Sequence, residues 1–150
     1  MKKYAKYPVK FGSIESTGLM LSSCLFLFPA MYALIICKMY FYAIVSIITS
    51  LVSINYWRHA DYGRISRTVD LIVAKVSFAI YFASGLYFSV HNPILFIYGI
   101  PGLCGIVFFY RYSIILWEYD AREWYLSHMS FHLFVALEQM LVIYGGKILK

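Results

Sequence analysis

His128 and His132 stand four residues apart at the start of an apolar segment, Trp124 to Tyr144, that is long enough to cross a membrane. Residues at that spacing lie one above the other on a helix face, so both imidazoles can address one point. Histidine is uncommon inside membrane spans and faces a polar interior when it occurs there. A His-x-x-x-His pair is also a two-point clamp for zinc. His59, at the end of the second span, and Asp70, at the start of the third, fall on the same side of the membrane as that pair under the five-span reading below. A catalytic zinc site keeps three protein ligands and an open position for water, whose pKa the ion lowers to about 7. In that reading His59, His128 and His132 are the ligands. Asp70 orients a ligand or acts as general base, and Asn55, one helical turn before His59, holds an oxyanion. Each residue also has a plain structural role. His59 follows Trp57 and Arg58 at a span end, where an interfacial histidine needs no metal. Asp70 falls in the first turn after a possible Thr68 cap, where the helix dipole favours a carboxylate. His128 and His132 share their face with Gln139 and could simply join helices.

These residues must be positioned by membrane helices. Of the 150 residues 62% are hydrophobic and 13% charged, and the mean hydropathy is +0.72. That composition belongs to an integral membrane protein. At about 20 residues per crossing, the expectation is an all-α bundle of about five spans in a single transmembrane domain, 1–150. The spans are expected at about Thr17–Cys37, Tyr40–Trp57, Thr68–Val90, Ile94–Tyr110 and Trp124–Tyr144. Pro29 predicts a kink in the first, and Asn92-Pro93 a tight turn before the fourth. Gly99, Pro101, Gly102 and Gly105 predict close approach or local unwinding in the fourth. The stretch Arg111 to Glu123 is expected to lie at the interface. Tyr4, Tyr7, Tyr56, Trp57, Trp117, Trp124, Tyr125 and Tyr144 fit interfacial belts.

Under this reading Lys2, Lys3, Lys6, Lys10, Arg58, Arg64, Arg67, Arg111 and Arg122 fall on one side of the membrane. Only Lys38, Lys147 and Lys150 fall on the other. The positive-inside rule then puts the amino terminus inside. The first lysines form a basic tail, without the cleavage pattern of a removable signal. The net charge of +6 suits anionic lipid headgroups. No basic surface with interleaved aromatics supports nucleic-acid binding. Cys24, Cys37 and Cys104 have no Cys-x-x-Cys spacing and read as packing or lipid-facing thiols. Gly-x-Ser-x-Gly, phosphate-loop and His-Glu-x-x-His motifs are absent.

The order His59, then Asp70 eleven residues later at the head of the next span, then His128-x-x-x-His132 resembles the CREST superfamily of alkaline ceramidases, progestin and adipoQ receptors and related membrane hydrolases. The resemblance implies a multi-span protein with His59, His128 and His132 on zinc and Asp70 as the acidic partner. It implies hydrolysis of an amide or ester in a membrane lipid. The superfamily typically has seven spans, and it carries a serine where this chain has Asn55. The competing expectation is a non-enzymatic accessory subunit of a larger membrane complex or an oligomer, its histidines joining helices. A third is an ion or proton relay through Glu138, Lys75 and the histidines. Lys75 and Glu138 lie inside spans and are expected to pair, across a depth gap of about 10 Å at about 1.5 Å rise per residue.

Overall fold

The structure, a computed structural model, describes residues 12–58, 60, 65–119 and 123–149. They form five helices long and apolar enough to cross a membrane: α1 (Ile14–Cys37), α2 (Tyr40–Arg58), α3 (Ile65–His91), α4 (Pro93–Glu118) and α5 (Trp124–Ile148). No strand occurs among the described residues. The expected all-α bundle of five spans is therefore the observed architecture. Helices satisfy their own backbone hydrogen bonds, which hydrocarbon cannot do for them.

Helices α1, α2 and α5 make the packed centre. Leu19, Ala33, Ala43 and Ile143 are almost wholly enclosed. Helices α3 and α4 lie outside it and keep broad apolar faces exposed, among them Ile72, Val76, Phe96, Ile97 and Phe108. On α4, Gly102 and Gly105 let α5 approach closely. A Cβ at Gly102 would overlap the carboxyl of Glu138, and one at Gly105 the ring of Phe134. The helix runs unbroken through Pro101, so the small residues serve close approach and not unwinding.

Helix α1 departs from regular α-helical bonding ahead of Pro29. The proline cannot donate to the carbonyl of Leu25 and crowds it, and the turn Cys24–Phe26 is 3-10. A π-helical stretch, Tyr32–Cys37, ends at Lys38 in the left-handed conformation with φ 53°. Asn92 caps α4 by accepting from Ile94 N at 3.3 Å, with Pro93 in the first turn.

Several boundaries differ from expectation, among them the end of α5, at Ile148 and not Tyr144. Ser13 caps α1 by accepting from Ser16 N at 3.1 Å, so α1 starts at Ile14 and not near Thr17. Helix α3 starts at Ile65, which puts Thr68 inside it and removes the cap explanation of Asp70. Helix α4 continues to Glu118, because Arg111 to Glu118 contains no glycine or proline to break it. At about 1.5 Å per residue its 26 residues exceed a hydrocarbon core of about 30 Å.

Candidate functional site

Helix α5 carries the polar face that the sequence suggested. His132, Ala136, Gln139 and Ile143 are buried along one stripe, and the facing stripe of α2 is Ser46, Ser50, Ser53 and Trp57. Intervals of four, three and four residues keep those α2 side chains on one helix face. Small hydroxyl residues let helices approach and bond across a bundle.

The two histidines meet as the spacing requires. Their ring centroids are 4.9 Å apart at an interplanar angle of 74°. His132 is 3% exposed, and its Nδ1 lies 2.8 Å from Ser22 Oγ of α1. That hydroxyl also has the Leu19 carbonyl as an acceptor at 3.0 Å; with its proton there, His132 Nδ1–H is the donor to Ser22 and Nε2 carries the free lone pair. His128 repeats the pattern more loosely. Ser113 Oγ of α4 donates to the Tyr110 carbonyl at 2.8 Å and sits 3.5 Å from His128 Nδ1. A metal-binding histidine usually donates its other ring N–H to a carboxylate, backbone carbonyl or water; here a serine hydroxyl stands at that position.

Aromatic rings close the site on the side of the α2 carboxyl end. Trp57 meets His128 edge-on at 5.0 Å and Trp124 at 6.0 Å, and Trp117 packs on Trp124 at 4.3 Å. Tyr56 and Trp57, expected as belt residues, are 7% exposed and buried within the bundle, because the His128 end of α5 supplies a partner for their rings. Trp57 Nε1 is buried without a hydrogen-bond partner.

Around the pair, hydroxyls tie α1 to α2. Ser23 and Ser53 are 2.9 Å apart, Ser50 Oγ donates to the Ser23 carbonyl at 3.0 Å, and Ser16 Oγ donates to the Trp57 carbonyl at 2.9 Å. Ser127 Oγ reaches the Phe109 carbonyl of α4 at 3.1 Å. Farther along, Ser46 Oγ donates to Gln139 Oε1 at 3.2 Å, and Tyr81 OH of α3 bonds Ser46 Oγ at 2.7 Å with the Tyr42 carbonyl as a further acceptor at 3.1 Å. The sequence reading missed Ser22, Ser23, Ser50 and Ser113. The period of Ser46, Ser50, Ser53 and Trp57 on α2 was the available signal.

The remaining expected site residues are placed as follows. His59 lies outside the described residues. Asp70 is half-buried on α3, and the hydrogen bonds of the two histidines go to serines and not to it. Asn55 is exposed while Ser53, Tyr56 and Trp57 around it are buried, so its amide is turned away from the helix contacts. Among the described residues the expected Lys75–Glu138 pair is not formed: Lys75 is exposed on α3, while the Glu138 carboxyl lies against Gly99 and Gly102 of α4. Among the described residues, no three His, Cys, Asp or Glu side chains gather closely enough to hold a metal ion. The thiols Cys24, Cys37 and Cys104 are free.

No family model, curated protein or solved structure matches this chain.

Proposed function

We propose that this multi-pass membrane protein is a metal-dependent hydrolase of a membrane-lipid amide or ester, with zinc held by His128, His132 and His59 on the inner side of the bilayer. One observation supports the reading: both paired imidazoles present Nδ1 to a serine that also has a backbone carbonyl to donate to, an arrangement in which both Nε2 atoms keep their lone pairs on adjacent rings. That donor set fits zinc, whose catalytic sites use neutral imidazoles. When bound, the ion supplies an activated water near neutral pH and polarises the scissile carbonyl. The chain's own part is positional. Ser22 fixes the His132 ring, the Trp57, Trp117 and Trp124 rings shield the site, and Asp70 stands on the neighbouring α3 as the candidate acid–base group.

The test is zinc content per chain in purified wild-type protein and in a His128→Ala/His132→Ala variant, together with turnover of labelled lipid amides and esters. Stoichiometric zinc lost in the variant, with turnover lost in parallel, is the expected result. No zinc in either protein would remove the reading.

A second reading is supported by Ser46, which joins α2 to Gln139 without any histidine. In it the Ser22–His132 contact is likewise only a bond between helices of a structural or accessory subunit. Replacement of His132 by Asn then alters stability and nothing else.

A further inference from the structure

Helices α3, α4 and α5 enclose a groove of about 90 Å³, separate from the histidine pair. Its walls are mostly apolar, with Phe78, Phe82, Phe88, Phe96 and Leu103 among them, and among the described residues Glu138 is its only charged side chain. Oxygen atoms of the other polar side chains on the lining have hydrogen bonds. Tyr81 bonds Ser46, Gln139 accepts from Ser46, and Ser89 donates to the Gly85 carbonyl. The Glu138 carboxyl has no hydrogen bond or ion pair among the described residues. It rests against Gly99 and Gly102, where the missing Cβ of Gly102 makes the room it occupies. Glu138 lies about 21 Å along α5 from Trp124 at about 1.5 Å per residue, near the middle of a helix of 25 residues.

A carboxyl at that depth is costly without a partner and marks a site for one. We propose that the groove binds a lipophilic ammonium ion, a protonated amine on a hydrocarbon chain dissolved in the bilayer, with Glu138 as its counter-ion. The ammonium donates charge-assisted hydrogen bonds to the carboxylate. A neutral lipid leaves the carboxyl unmet, and an anionic one is repelled. The enclosed volume is well below the roughly 300 Å³ at which pockets for whole drug-sized ligands begin. It therefore takes the head and its first carbons. The chain leaves between α3 and α4, where Phe82 and Leu86 are 41% and 46% exposed.

The test uses the full chain in phosphatidylcholine nanodiscs and a diazirine-bearing long-chain primary amine, compared with the matching alcohol, with labelled peptides mapped by mass spectrometry. The amine should label α3 and α4 peptides that line the groove about tenfold more than the alcohol does, the equivalent of one charge-assisted contact. Glu138→Gln should abolish that preference, and excess dodecylamine should displace the label where dodecanol does not. Equal labelling by amine and alcohol, labelling outside the groove, or an unaltered preference in Glu138→Gln would overturn the proposal. If Glu138→Gln does not fold, the amine-versus-alcohol competition on the wild-type protein decides alone. Because the groove shares no residue with the histidine site, loss of the zinc reading leaves this result untouched.

Discussion

Ser22 Oγ of α1 and His132 Nδ1 of α5 lie 2.8 Å apart, a bond between the first and last spans that fixes which imidazole nitrogen faces the site. Both partners are buried, at 4% and 3% exposure. The contact therefore bears on stability and on the proposed metal chemistry at once, and the two effects separate by measurement.

Ser22→Ala leaves a buried imidazole N–H without an acceptor. We expect a loss of about 1 kcal/mol in reversible unfolding from detergent micelles, within the range for bonds between membrane helices, and a zinc affinity lower by about tenfold or more. Titration calorimetry of zinc into metal-free protein checks the second effect. A stability loss with no change in zinc binding would leave Ser22 a purely structural partner.

Metal removal should destabilise the folded chain. If the site binds zinc, saturation at about 1,000 times Kd contributes about 4 kcal/mol, and a chelator should lower the thermal midpoint of the wild type but not of His128→Ala/His132→Ala. Identical chelator responses in the two proteins would argue against a zinc site on these rings.

The α4–α5 contact makes a graded prediction. A Cβ at Gly105 overlaps the Phe134 ring, whereas one at Gly99 meets Glu138 Oε2 at an ordinary 3.7 Å. Gly105→Ala should cost about 1 to 3 kcal/mol through overpacking, and Gly99→Ala should be nearly neutral. Equilibrium unfolding of the two variants side by side provides the comparison.

Ser46, Tyr81 and Gln139 join three helices through one hydroxyl. In a double-mutant cycle with Ser46→Ala and Tyr81→Phe, a coupling energy of about 0.6 kcal/mol is expected, the average for such membrane pairs. Additivity of the two changes would mean that the bond contributes nothing to the fold.

Composition and period determined the architecture before any coordinates. Apolar segments of membrane length can only be helices where water is absent, and the four-residue spacing of His128 and His132 put both rings on one face. Asn92-Pro93 and Pro29 marked a turn and a distortion through local sterics alone. What the chain could not reveal was which side chains meet across helices. The Ser22–His132 bond, the burial of Trp57 against His128 and the turning of Glu138 toward Gly102 instead of Lys75 depend on helix rotation and neighbour order. Those are set by packing between surfaces distant in sequence, where small residues permit contact and bulky ones forbid it. Asn55 and Ser53 show the difference: two residues apart on one helix, one ends exposed and the other buried against Ser23, a choice made by the position of α1 and by nothing local.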